Sequence, residues 1–262
     1  MITSLQNLRV KAAVALRDRK GRESQQRIII DGAREIARAL AGNVQLAELF
    51  VCEELIHTPA AREVLWQVAA ANADCVSVSR SVFEKLAYGE RGEGLIATAH
   101  TPVRSLSSLM LPVTPLIAVL EGVEKPGNVG AVLRSADGAG VSALIVADGG
   151  TDLFNPNAIR ASLGAIFTVP VCAASSLETL AWLRARKLAI FAARVDGAIG
   201  YERANLRPAA AIVLGSEAHG LTDAWQGSDI IPIMLPMLGV CDSLNVSATA
   251  AVLFYEAWRQ RQ

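Results

Sequence analysis

Short aliphatic runs alternate with segments of helical period along almost the whole chain, and that alternation restricts the fold more than any other feature. Apolar stretches at 27–30, 46–52, 75–79 and 94–99 are separated by segments 32–41, 59–72 and 81–87, in which apolar residues recur at helical spacing. A second series of strands runs through 116–121, 142–147, 167–172, 188–194, 210–214 and 230–234, with helices expected at 128–138, 156–163, 176–186 and 244–260. This order predicts α/β layers, not a bundle, a sandwich or a repeat array. Between the two series lie Pro102, Pro112, Pro115 and a Ser/Leu stretch without periodicity, so a linker is expected at about 100–115, between domains 1–105 and 116–262. At the front, Leu5, Leu8, Ala12 and Leu16 predict an amphipathic helix over 4–17, interrupted by Gly21. Asp242 and Ser243 are expected to cap the last helix.

Composition then removes whole classes. Hydrophobic residues make up 52% of the chain and the net charge is zero, which excludes disorder. The longest apolar run, 230–241, is broken by Pro232 and Pro236 and falls short of the ~20 residues a membrane span needs. Arg9, Lys11, Arg17 and Arg19 interrupt the N-terminal segment, so no signal peptide is expected and a cytoplasmic location is the default. Cys52, Cys75, Cys172 and Cys241 form no CxxC pair and read as buried thiols, with neither disulfides nor a metal expected. Charge is nevertheless uneven. Residues 1–38 hold nine basic and four acidic side chains, so the segment is about +5 and the remainder about −5. A basic arm of this kind suits a polyanion, although charge alone leaves a solvated helix face equally open.

Three segments of the second half carry candidate chemistry. In 121–136 (EGVEKPGNVGAVLRSA) a strand ends in glycines and a helix begins, with Asn128 near its start and Arg134 about two turns on. Free N–H groups there could cradle a phosphate, yet the segment is neither a GxGxxG fingerprint nor a P-loop. Taken alone, Asn128 could be a cap and Arg134 a surface cation. In 212–221 (IVLGSEAHGL) a buried strand runs into a turn holding Glu217 and His219 at the strand's carboxyl end, where α/β proteins bind ligands. His219 has no partner at ligand spacing and is assigned no catalytic role. In 233–251 (IMLPMLGVCDSLNVSATAA) a Pro/Gly-rich loop delivers Ser243, Asn245 and Ser247 to the last helix. Main-chain groups in such a loop can bind adenine, between the apolar faces of Leu235 and Leu244.

In this order the three segments resemble motifs 1, 2 and 3 of the SpoU (TrmH-like) branch of the SPOUT RNA methyltransferases, through N-V-G-A-x-x-R-S-A, L-G-S-E-A-x-G-L and L-P-M-x-G-x-x-x-S-L-N-V-S. The stretch 155–167 (NPNAIRASLGAIF) is similar to the one the family carries between the first two, and the resemblance covers 116–260. Residues 5–38 look like the L30e/L7Ae-like RNA substrate-binding domain found in front of many members. The resemblance implies a trefoil-knotted parallel sheet that binds S-adenosylmethionine and forms a homodimer through this C-terminal domain. It also implies methyl transfer to a ribose 2′-hydroxyl in rRNA or tRNA. Carried over by motif, Gly215, Leu235 and Leu244, with Leu214 and Gly239, would contact the donor. Asn128, Arg134, Glu217, Asn245 and Ser247 would form the polar active site. Arg9, Lys11, Arg17, Arg19, Lys20 and Arg22 of the basic arm would meet RNA.

The chain departs from the pattern in a few places. Glu124-Lys125 replaces the more usual acid before the motif 1 proline, and Cys241-Asp242 occupy variable positions of motif 3. A guanidinium holds its proton in water and is a poor base, so Arg134 is expected to stabilise the developing alkoxide and to anchor a neighbouring phosphate. An RNA-binding or ribosome-assembly protein that keeps the fold without turnover is the alternative, and rRNA is the favoured substrate by analogy alone.

Overall fold

The computed structural model describes residues 1–70, 73–88 and 92–262. In chain order its elements are α1 (Leu8–Ala15), α2 (Arg19–Gln25), β1 (Arg27–Asp31), α3 (Ala33–Ala41), β2 (Leu46–Val51), α4 (Pro59–Ala70), β3 (Asp74–Ser77), α5 (Arg80–Leu86) and β4 (Leu95–His100). There follow β5 (Leu116–Glu121), α6 (Pro126–Ala139), β6 (Ala143–Ala147), α7 (Pro156–Ala161), α8 (Ala165–Thr168), β7 (Val171–Ala174) and α9 (Ser176–Ala185). The chain ends with β8 (Ala189–Ala193), β9 (Ile199–Gly200), β10 (Ala210–Leu214), β11 (Ile230–Met234) and α10 (Val246–Gln260). Contacts divide it into two units, Met1–Val103 with Phe154–Thr168, and Arg104–Leu153 with Val169–Gln262.

The first unit is a mixed sheet in the order β1-β4-β2-β3, with β4 antiparallel to both neighbours and β3 parallel to β2. Its core joins Val10, Ala13 and Leu16 to Phe50, Phe83 and Ile96. The expected stripe on the first helix is therefore corrected. Leu5 and Leu8 are exposed, because α1 begins only at Leu8, capped by Asn7, whose Oδ1 accepts from the Arg9 N–H at 2.9 Å. Gly21 interrupts nothing: it lies inside α2, where a Cβ would meet the Ala15 carbonyl oxygen at 1.9 Å. The helix expected over 59–72 is present to Ala70, and its last two positions lie outside the described residues. The strand expected at 167–172 starts later, since 165–168 form α8 and β7 begins at Val171. A short apolar run fits helix and strand alike. Here Leu163 and Gly164, both at positive φ, turn the chain so that Ile166 and Phe167 are buried in the first unit.

The second unit is a seven-stranded sheet in the order β7-β6-β5-β10-β8-β11-β9, and every neighbouring pair is parallel. Every residue of β5, β6 and β10 is buried, as a parallel sheet covered on both faces requires. The parallel sheet and the separate N-terminal unit are the architecture implied by the family resemblance. Because β10 lies between β5 and β8, with β11 on the far side of β8, loops from distant parts of the sequence leave the sheet side by side. Helix α10 packs on α6. It is capped by Asn245, not by Asp242 or Ser243, because the helix begins only at Val246. The expectation of four buried thiols holds for Cys52 and Cys172, whereas Cys75 and Cys241 are exposed; all four are free. Among the described residues no helix is long and apolar enough to cross a membrane.

Candidate active site

Three strand ends build the site. β5 finishes at Glu121, Gly122 turns the chain at φ +64°, and α6 opens with Pro126 at its first position, which needs no N–H donor. This puts Asn128 in the first turn of α6. β10 finishes at Leu214 and enters a tight loop in which Ser216 and Gly220 exchange backbone hydrogen bonds of 3.1 and 3.0 Å. The loop closes so tightly that a Cβ on Gly215 would lie 2.2 Å from the Gly220 carbonyl carbon, which accounts for both glycines; Gly220 itself sits at φ +66°. Beyond β11 the chain loops to Asn245 at the start of α10.

Glu217 is where these pieces meet. Its Oε1 accepts from Asn128 Nδ2 at 3.1 Å and also from Asn245 Nδ2, while its Oε2 takes the Lys125 ammonium at 3.2 Å. Asn245 Oδ1 in turn accepts from the Ser247 hydroxyl at 2.6 Å and from the Ser247 N–H at 2.9 Å. Four of the five expected catalytic residues, one or two from each motif, thus form one hydrogen-bonded chain. Lys125, with the Asn128 amide adding to it, holds the Glu217 carboxyl below the usual range. The Ser247 O–H is spent on Asn245, which leaves the lone pairs of Oγ free to accept.

The fifth residue, Arg134, stands apart. It is six residues beyond Asn128 on α6, about 9 Å further along the axis and about a third of a turn round. It is exposed and, among the described residues, makes no hydrogen bond or ion pair.

A cavity of about 460 Å³ adjoins the chain and is lined by residues that include Leu214, Gly215, Glu217, Leu235, Leu244 and Val246. Four of the five expected donor-binding residues therefore share one wall system. Gly239 does not line the cavity and is exposed in the loop. His219 reaches the rim through its place in the tight loop, where its N–H donates to Ser216 Oγ at 3.1 Å. Among the described residues no group of three or more His, Cys, Asp and Glu could hold a metal ion.

Sequence reasoning missed four contributors. Lys125 was noted only as a departure from the motif. Arg194 and Asp196 line the cavity from the end of β8 and are joined by a two-pronged ion pair of 2.8 and 3.1 Å, which lowers the Asp196 carboxyl. Glu121, only 2% exposed, accepts from Ser176 Oγ and Thr222 Oγ1 at 2.7 Å and from the Thr222 N–H at 2.8 Å. It thereby ties the end of β5 to the exit of the β10 loop. An acid closing an otherwise apolar strand was the available signal.

In the first unit most of the basic arm is engaged internally. Arg9 pairs with Glu48 and Asp74 at 2.6 Å, and Arg17 donates to the carbonyls of Lys85 and Ala87. Arg22 is buried and donates to the carbonyls of Leu16 and Arg17 at 2.8 and 2.7 Å. Arg19 pairs with Glu23 at 2.7 Å, while Lys11 and Lys20 are exposed.

Comparison with known proteins matches two stretches of the chain. Residues 115–255 match the SpoU rRNA Methylase family and residues 7–97 match the MRM3-like substrate binding domain. A 23S rRNA guanosine 2′-O-methyltransferase of Bacillus subtilis, RlmP, is 25% identical over 97% of both chains. The 23S rRNA guanosine 2′-O-methyltransferase RlmB of Bordetella pertussis is 33% identical over 71% of this chain and 78% of its own. The crystal structure of an RNA 2′-O ribose methyltransferase shares 44% identity, with a TM-score of 0.86 over 99% of this chain and 98% of that one. The SpoU methyltransferase AviRb of Streptomyces viridochromogenes, solved with AdoMet, is 25% identical with a TM-score of 0.88 over 98% of each chain.

Proposed function

The chain belongs to the SpoU rRNA Methylase family, and from that premise we propose that it transfers a methyl group from S-adenosylmethionine to a ribose 2′-hydroxyl of structured RNA, with rRNA preferred to tRNA. The observation that carries this reading is the convergence of the three motifs on Glu217, beside a cavity of about 460 Å³. The volume falls within the roughly 300–1,000 Å³ usual for small-molecule sites. Leu214, Leu235 and Leu244 offer apolar walls for an adenosyl group, and the Asp242 carboxylate, which makes no ion pair among the described residues, suits a cationic ligand. When bound, S-adenosylmethionine supplies an electrophilic methyl group on a sulfonium. Gly215, Leu214, Leu235 and Leu244 would hold it; Gly239 remains a candidate only through its loop.

The protein's own groups would prepare the nucleophile. Glu217 is a poor base, because its carboxyl is held low and both oxygens are already occupied. Its role is to fix the amides of Asn128 and Asn245. Asn245 then orients Ser247, whose Oγ can accept a hydrogen bond from the ribose hydroxyl. Arg134 is free to neutralise the developing alkoxide and the adjoining phosphate, while the hydroxyl proton passes to solvent water. An assembly protein without turnover would not need this chain of contacts intact.

Residues 1–105 would select the RNA and 116–262 would perform the transfer, in the cytoplasm. Lys11 and Lys20 are the first candidates for phosphate contact, with Arg9, Arg17, Arg19 and Arg22 holding the arm in shape. On α10, Val252, Tyr255 and Trp258 expose an apolar face that supports a homodimer through the C-terminal domain.

The test is transfer of labelled methyl from S-adenosylmethionine to rRNA and, separately, to tRNA, both from a strain lacking the gene. Label is expected in rRNA and absent with Arg134→Ala. Near wild-type turnover by Arg134→Lys would remove any role that needs a two-pronged guanidinium. Sedimentation of the full chain as a monomer at micromolar concentration would refute the dimer.

A further inference from the structure

Lys125 is an awkward residue for its position. It is the N-cap of the 14-residue helix α6, where Ser, Thr, Asp or Asn would satisfy free N–H groups, and its side chain makes no cap. A cation there also opposes the positive end of the helix dipole. What its side chain does instead is pair with Glu217 Oε2 at 3.2 Å. We propose that Lys125 is a positioning residue for methyl transfer: it anchors one oxygen of Glu217 so that the other collects Asn128 and Asn245, and through Asn245 it sets the direction of the Ser247 hydroxyl. This rests on the methyltransferase reading of the site.

The geometry separates this role from two others. Lys125 does not line the cavity, so it is not a donor-binding group. Among the described residues it is also the one side chain that approaches Glu217 Oε2 with a full positive charge, while the amides of Asn128 and Asn245 share Oε1. The other charged or titratable groups around the cavity are Arg194 and Asp196 after β8, His219 in the same loop as Glu217, and Asp242 before α10. Among the groups that hold the Glu217 carboxyl low, Lys125 comes first. Its ammonium is largely exposed, so the pair is of the solvent-screened kind and its effect should be modest but measurable.

The experiment follows the Glu217 carboxyl carbon by NMR in the full-length protein, assigned with Glu217→Gln, alongside steady-state kinetics. In Lys125→Met the titration of Glu217 should move up, as loss of the ion pair implies. Its kcat should fall severalfold while KM for S-adenosylmethionine and for RNA stays within about twofold, and Lys125→Arg should restore both the titration and kcat. An unmoved titration in Lys125→Met overturns the proposal. So does a raised KM for RNA at constant kcat with a salt slope shallower by about one, the signature of a phosphate contact. The titration needs no substrate, so failure of the wild type to methylate RNA would sink the methyltransferase reading without touching it.

Discussion

The two units spend their polar residues in opposite ways. In the first, the charged side chains that look available for a polyanion are largely turned inward: Arg22 is buried against the carbonyls of Leu16 and Arg17, and Arg9 bridges Glu48 and Asp74. In the second, β5, β6 and β10 bury every residue, so the polar groups collect in the loops at their carboxyl ends. A sheet that hides both faces has nowhere else to put chemistry. Basic residues in the first unit are therefore poor guides to function one at a time, whereas polar residues next to the strand ends of the second are good ones.

The sharpest contrast to break is between Arg134 and Glu121. Arg134→Ala should lower kcat about a hundredfold or more, as removal of a charge-stabilising donor does, and leave thermal stability within about 0.5 kcal/mol because the side chain is exposed and unpaired. Glu121→Ala should do the reverse in kind. It leaves Ser176 Oγ and both donors of Thr222 without their acceptor, a loss of about 2–3 kcal/mol in chemical unfolding, with donor affinity falling as the β10 loop loosens. Retained stability in Glu121→Ala would show that this tie is not what holds the loop.

Within the first unit, Arg22→Met should cost about 1–3 kcal/mol, because two carbonyls lose a buried donor. Its effect on RNA affinity should follow only from that. Lys11→Ala and Lys20→Ala should instead keep the stability and each reduce the salt slope of RNA binding by about one. Equal salt slopes in all three variants would erase the distinction between framework and contact residues.

The smallest expected effect separates the units by pH. Burial raises the Asp31 carboxyl in the first unit, so the folded chain keeps a proton that the unfolded chain has released. That contribution is complete below the unfolded pKa and is lost as pH rises through the folded one. Asp31→Asn should therefore stabilise the first unit at neutral pH. In the second unit Glu217, Asp196 and Asp229 are held low by Lys125, Arg194 and Arg184 respectively. Their contribution is present above the unfolded value and is lost as pH falls through the folded one. Hydrogen exchange should accordingly show the second unit loosening first on acidification below about pH 4.

Much of this was legible in the chain. Strand 116–121 and strand 210–214 were read with their observed bounds, because an unbroken apolar run between Pro/Gly turns has few other fates. The motif residues were legible as types in an order. Elsewhere local pattern misled. Leu5 and Leu8 are apolar at helical spacing yet exposed, and 165–168 is apolar enough for a strand yet helical. For 165–168 the partner lies far away in sequence, on α3, whereas for Leu5 and Leu8 it is the local cap at Asn7 that sets where the helix begins.

The sequence by itself determined the α/β class, the two series of elements and which loops hold the polar residues, since periodicity and turn chemistry are local properties. The tertiary structure alone decided that Lys125, Asn128, Glu217, Asn245 and Ser247 form one chain of hydrogen bonds, and that Arg134 does not join it. Hydrogen bonds act only over about 3 Å. Groups separated by 89 and 28 residues come within that reach only when the parallel sheet sets the ends of β5, β10 and β11 in one neighbourhood.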